Sequence, residues 1–203
     1  MRVGFNPNNQ TFPPVRQNIE CGMPGKILAG RKPLQLNWYR WASRLYTWKS
    51  VLDIGCGSCV GLGLVRNGGA ASVVGQEVDV RLAGLEDDII FNTIDNIPSK
   101  NYDVVLCIDV IEHVIEDFEF FRHLVRIAKN NLMITTPNYA CSKARNQHHC
   151  REYTIPQFVE FFAPDELWVS ASGGVFQPTR LTASEIMDTA KWANICGIWK
   201  MEG

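Results

Sequence analysis

Residues Val51 to Cys59, V-L-D-I-G-C-G-S-C, constrain the fold of this chain more than any other stretch. Apolar residues around a single acid form a short strand covered on both faces, as strands of a parallel sheet are. Gly55 and Gly57 follow at once and allow a tight turn, with a backbone approach to a ligand that side chains would block. Val60 to Arg66 can then begin a helix whose N-terminal amides would face that ligand. The strand, turn and helix together predict a nucleotide-type pocket at the carboxyl end of a first strand. The spacing departs from the dinucleotide fingerprint G-x-G-x-x-G, because Val60 stands three places after Gly57 and the next glycine is Gly61. Taken alone, a glycine turn with a purely structural purpose explains the same letters.

Further strands and helices follow in alternation. Ala71 to Asp79 reads as a second strand ending in acids, and a carboxylate at Glu77 offers two acceptor oxygens to a pair of ribose hydroxyls; Asp79 is the alternative by one pleat. Residues 80–88 leave a trimmed crossover before a third strand, Ile89 to Phe91. Tyr102 to Asp109 forms a fourth strand, Glu116 to Ala128 a helix, and Leu132 to Asn138 a fifth strand ended by proline. Thr154 caps a helix from Ile155 to Phe162 with Pro156 in its first turn. Two more strands, 167–172 and 193–201, are expected around a helix at 184–192. This alternation predicts an α/β doubly wound parallel sheet. Residues 1–33, rich in Pro, Gly and Asn, read as an extended arm before a domain over 34–203. Pro33 opens an aromatic helix containing Trp38 and Trp41, which either packs on the sheet edge or lids the substrate site.

The densest chemistry lies in two segments. Cys107 to Val114 closes the fourth strand and carries Asp109, Glu112 and His113. Thr135 to Asn138 leads into His148 to Thr154. In a doubly wound sheet both stand at carboxyl ends of neighbouring strands, over one crevice. Two carboxylates and two imidazoles suit a divalent metal such as Mg²⁺, Mn²⁺ or Zn²⁺. Without a metal, His113 or His149 can act as general base. With neither, Glu112 is a helix-terminal acid and His113 an edge histidine. Lys143, Arg145 and Arg151 add a small basic cluster, either a contact for a substrate phosphate or carboxylate or a solvated loop.

Composition narrows the classes. A net charge of -1 and a pI near 6.4 give no electrostatic footprint for extensive nucleic-acid binding. No apolar run approaches ~20 residues and no signal-like segment follows Met1, so no membrane association and a cytoplasmic setting are expected. Seven cysteines is an odd number without the paired spacing of a zinc finger, which favours reduced thiols. D-P-P-Y and N-P-P-Y segments are absent, as is a Pro-Cys pair, which speaks against methylation of DNA bases.

That last point matters because D-I-G-C-G-S resembles motif I of the class I S-adenosylmethionine (SAM) methyltransferases, with Cys59 where the family usually has a third glycine. The resemblance spans roughly residues 33–203. It implies a Rossmann-like fold with an antiparallel C-terminal strand pair and helices on both faces. It also implies Asp53, Gly55, Cys56 and Gly57 at the methionine end of SAM, Glu77 on the ribose, Asp95 or Asn92 near the adenine, and Asp109 at the cofactor rim. The D-V-I-E-H segment is similar to the E-x-x-E-H segment of ubiquinone-type O-methyltransferases. It is similar also to the E-V-I-E-H of small-RNA 3′-terminal 2′-O-methyltransferases, which pair it with T-P-N and D-H-x-x-E-W-T. Matched residue by residue, Asp109, Glu112, His113 and His149 fall on that group's metal ligands, with Asp109 one methylene shorter than the usual Glu. The H-C-R-E-Y-T segment is also similar to bacterial and phage methyltransferases thought to act on sugars. The expectation is therefore methyl transfer to a hydroxyl of a small-molecule, sugar-like or RNA-terminal acceptor. The alternatives are a non-catalytic SAM-binding protein and a nicotinamide-dependent oxidoreductase.

Overall fold

The computed structural model describes residues 33–79, 88–91, 93–171, 173, 175–187 and 189–202. The arm expected over residues 1–33 lies outside these except for Pro33, as do the crossover over residues 80–87 and the adenine candidate Asn92. Among the described residues eight strands build one sheet: β1 (Ser50–Ile54), β2 (Ser72–Glu77), β3 (Ile89–Phe91), β4 (Tyr102–Ile108), β5 (Ala128–Pro137), β6 (Glu166–Ala171), β7 (Thr179–Leu181) and β8 (Trp192–Lys200). Their order is β3-β2-β1-β4-β5-β8-β6-β7. The first five pair in parallel, whereas β8 runs antiparallel to both β5 and β6, and β7 antiparallel to β6. This is the Rossmann-like α/β sheet expected. No helix among the described residues is long and apolar enough to cross a membrane.

The pleat divides the core in two. Leu52, Ile54, Val105, Cys107, Leu132 and Ile134 point to one face, where they meet α3 (Asp117–Ile127) and, past the short α4 (Tyr139–Ser142), α5 (Ile155–Phe162). Val51, Val104, Leu106, Ile108 and Met133 point to the other, against α1 (Pro33–Leu45) and α2 (Val60–Asn67). Both faces of β1 and β4 are thus dry, which is why those segments read as unbroken apolar runs.

Two helices deserve their causes. In α5 the Thr154 side chain accepts from the Gln157 amide and Gln157 reaches back to the Thr154 amide, a complete capping box with Pro156 in the first turn. In α1 the buried face is Trp38, Tyr39, Ala42 and Ser43. Tyr39 packs on α2 at Gly61, where an added Cβ would stand 2.4 Å from its ring. The Tyr39 hydroxyl donates to the fully buried Asp53 at 2.8 Å. Gly61, displaced by one place from the fingerprint, therefore sets a helix contact. Gly61→Ala gains about 1 kcal/mol of helix propensity but overpacks Tyr39, at about 1–3 kcal/mol, and disturbs a buried hydrogen bond to a carboxylate, about 1.5–3 kcal/mol more. A net loss of about 1.5–5 kcal/mol is expected in urea denaturation.

The structure departs from expectation in three places, one being β7, a strand the sequence did not announce. The described residues of the span 184–192, expected as a helix, form no α-helix. Thr182 and Glu185 make a reciprocal cap over a single 3-10 turn, Ala183–Glu185, and the chain leaves it extended at Ile186. Trp192 already belongs to β8, so pairing in the sheet overrides the local helix signal. The fifth strand also starts earlier than expected, at Ala128. α3 runs directly into it, and Asn130 is drawn into the ladder region by a bond from its Nδ2 to Asp103, 3.0 Å.

Candidate functional site

Strand order reverses between β1 and β4, and the glycine turn leaves the sheet at that point. Gly55 and Gly57 stand at φ +69° and +54°, and a Cβ on Gly55 would reach within 2.7 Å of Val110 Cγ2. Cys59, in the place of the family's third glycine, adopts φ +63° as well, a conformation that costs a side-chain-bearing residue roughly 1–2 kcal/mol. The turn keeps its glycine shape without the glycine. Cys56 and Cys59 are both buried and unbridged, and burial, then the nearby Asp53 charge, push the Cys56 thiol up. The Cys56 side chain packs against Gly75 of β2, so its part in the turn is packing.

At the end of β2 the Glu77 carboxylate closes on the same turn. One oxygen accepts from the Gly57 amide at 2.9 Å, the other from the amides of Val78 and Asp79 at 2.8 and 3.2 Å. Turn, buried acid and strand-end carboxylate are the parts a SAM pocket requires, and the residues present fit it. Asp95 sits in the 3-10 turn Ile94–Asn96 and faces His123 Nε2 of α3 at 3.0 Å.

The second half of the site lies at the ends of β4 and β5. Asp109 caps β4 at φ +52°, its amide donating to the Thr135 carbonyl at 3.0 Å. Its Oδ1 accepts from the Thr135 hydroxyl at 2.7 Å and from Asn194 Nδ2 of β8 at 3.1 Å. Among the described residues Glu112, His113 and His149 form a cluster, each offering a ligand atom, with all three atoms within 4.8 Å of one another. Asp109 is not in that cluster. Glu112 is buried to 1% exposure; Oε2 accepts from the Thr136 hydroxyl, and Oε1 has no partner. Burial, then the Asp109 charge, push its carboxyl well above the usual range.

Both imidazoles are oriented from behind. His113 Nδ1 lies 2.9 Å from the His148 carbonyl, which makes it the donor nitrogen. His149 Nδ1 is hydrogen-bonded to Glu152, and Asn146 Nδ2 stands 2.7 Å from His149 Nε2. Burial opposes the charge on Glu152, but bonds from His149, Ser142 and the Ala144 amide outweigh it and hold its carboxyl low. Orientation of imidazoles by a carboxylate or carbonyl on the far nitrogen is the arrangement metal-binding histidines use. An orphaned buried carboxylate oxygen in the middle is consistent with a cation there.

The two segments are tied together by Glu112 itself, whose carbonyl accepts from the Cys150 and Arg151 amides at 2.7 and 3.2 Å. Asp117, the first residue of α3, then binds both the Arg151 guanidinium, at 3.0 Å, and the Tyr153 hydroxyl. The sequence reading did not single out Asp117. Its signal was an acid in a helix's first turn, which usually means a solvated end. Beside the cluster a cleft of about 500 Å³ opens between Leu34 and Gln35 of α1 and Ser142, Arg145, Asn146 and His149 of the loop after β5. The aromatic helix thus contributes to the cleft wall.

A family model described as a methyltransferase domain matches residues 31–169. Norajmaline N-methyltransferase of Rauvolfia serpentina is 32% identical over 106 residues, covering 45% of this chain and 36% of that enzyme, so the match spans about a third of the curated relative. A SAM-dependent methyltransferase of Archaeoglobus fulgidus is similar in structure, with a TM-score of 0.63 at 16% identity over 87% of this chain and 96% of that one. The small RNA methyltransferase HEN1 gives 0.61 at 20% identity over 86% of this chain and 26% of that one. A SAM-dependent methyltransferase of Mesorhizobium loti gives 0.58 at 11% identity, covering 86% and 100%. At these identities the structural likenesses concern the fold.

Proposed function

Since this chain belongs to the class I SAM-dependent methyltransferases, we propose that it transfers a methyl group to a hydroxyl of a small-molecule or sugar-like acceptor, with a divalent cation such as Mg²⁺ or Mn²⁺ held by Glu112, His113 and His149. The observation that carries this reading is the Glu112 Oε1 atom, buried and without a partner beside two imidazoles already oriented by other groups. SAM supplies an electrophilic methyl group, and a bound cation of this kind lowers the pKa of a hydroxyl so that a nucleophile exists at neutral pH. The chain's own residues supply the rest. Gly55 and Gly57 shape the turn for the methionine end, and Glu77 holds the ribose. Asp109, fixed by Thr135 and Asn194, forms the rim between the two halves. The cleft walls bring the acceptor into line and keep water away.

A second reading rests on the Glu152–His149 pair. Without a cation, the acceptor hydroxyl displaces the Asn146 amide from His149 Nε2. That nitrogen takes the hydroxyl proton as the methyl group leaves the SAM sulfur, and Glu152 steadies the imidazolium that results.

Calorimetric titration of SAM, with EDTA and then with Mn²⁺, tests both. Micromolar SAM binding weakened about 10- to 100-fold in Glu77→Ala is expected, from the loss of hydrogen bonds to a charged group. Mn²⁺ binding that disappears in His149→Ala supports the cation. SAM binding with no Mn²⁺ binding leaves the His149 base, and no SAM binding at all sinks the reading.

A further inference from the structure

Three cations mark the loop after β5, and the structure leaves one of them to the cleft. Arg151 is committed to Asp117, its side chain only 11% exposed. Lys143 Nζ lies over the Tyr139 ring, 5.5 Å from its centre. Arg145 is exposed, lines the cleft beside Asn146 and His149, and makes no ion pair among the described residues.

The backbone that presents it is held in an unfavourable shape. Lys143 and Ala144, neither of them glycine, stand in succession at φ +54° and +50°, at roughly 1–2 kcal/mol each. Glu152 holds them there: its Oε2 accepts from the Ala144 amide at 3.1 Å and from the Ser142 hydroxyl. The other oxygen of the same carboxylate takes His149 Nδ1. One buried group therefore sets both the turn before Arg145 and an imidazole of the candidate centre. Strain kept at such a place, where a glycine would relieve it, accompanies a residue whose position matters to a ligand.

We propose that Arg145 receives an anionic group of the acceptor, so that the molecule methylated is a small hydroxylated acid or phosphate ester whose hydroxyl lies at the Glu112–His113–His149 centre. The guanidinium fork fits both oxyanions. A cleft of about 500 Å³ suits a compact molecule, and a chain of net charge -1 offers no track for an extended polyanion. The inference rests on the acceptor-methylating reading above.

Calorimetry on SAM-saturated protein, with matched probes, tests it: glucose 6-phosphate against glucose, and lactate against propane-1,2-diol. Wild type is expected to bind a charged member at least about tenfold more tightly than its neutral partner, the scale of one charge-assisted hydrogen bond. Arg145→Gln abolishes the preference and Arg145→Lys restores part of it; the two pairs tell phosphate from carboxylate. Charged members that bind wild type no better than neutral ones, or a preference that survives in Arg145→Gln, overturn the inference. SAM titration of the same samples separates the failures: intact SAM binding without the charge preference sinks this inference alone, and absent SAM binding sinks it together with the reading beneath it.

Discussion

Glu112→Gln is expected to leave the melting temperature unchanged or raised while cutting methyl transfer at least about a hundredfold and abolishing Mn²⁺ binding. Groups one step behind a metal ligand typically account for about 10- to 100-fold, so Glu112, as a ligand of the proposed cation, would stand at or above the upper end. The stability half of the result follows from burial. Glu112 is 1% exposed, its Oε1 has no partner, and its carboxyl is pushed far up by burial and by Asp109. An amide of the same shape keeps an acceptor for the Thr136 hydroxyl and removes the tendency to charge in a dry site. A group that serves only the fold would show the opposite pair of effects, loss of stability with little loss of turnover. Thermal melting, Mn²⁺ calorimetry and turnover on an acceptor used by the wild type check the three parts.

Asp117→Ala is expected to destabilise the protein by about 3 kcal/mol, near the lower end for removing one partner of a buried ion pair. The lower end applies because the Arg151 side chain retains 11% exposure. What disappears is the carboxylate on which Arg151 and the buried Tyr153 hydroxyl converge. Asp117→Asn keeps the shape and an acceptor, and burial already works against the charge on Asp117, raising its pKa, so the amide costs far less. Urea midpoints measured at unchanged slope give the order. Because the same contacts pin residues 148–153 to the Glu112 carbonyl segment, the alanine variant also weakens Mn²⁺ binding in protein that is still folded.

Parts of this were legible in the letters and parts were not. The strand–glycine turn, the alternation and the α5 cap are local statements, made by residues within a few places of one another, and the structure repeats them. Local information misled over residues 184–192, where the chain makes one turn and is then taken into β8 by its pairing with β5 and β6. It was silent on Gly61, whose purpose depends on Tyr39 in another helix. It could not choose among Lys143, Arg145 and Arg151, because the choice is made by Asp117 and Tyr139. Asp109 matched the resemblance in sequence, yet its carboxylate turns to Asn194, 85 residues later. Side chains at the site are addressed by distant strands, and only the assembled sheet reveals which ones.

The position of β8 carries a consequence for the order of assembly. This strand follows β6 and β7 in the chain but lies between β5 and β6. Until it arrives, the long β5 has an open edge, and β6 and β7 have no place on the sheet. It also delivers Asn194 to Asp109, and its carbonyls at Trp192 and Ala193 bind Asn138. The rim of the site therefore forms only once Asn194 has left the ribosome. The preceding span waits with an unpaired strand, so the vulnerable species is the half-made chain.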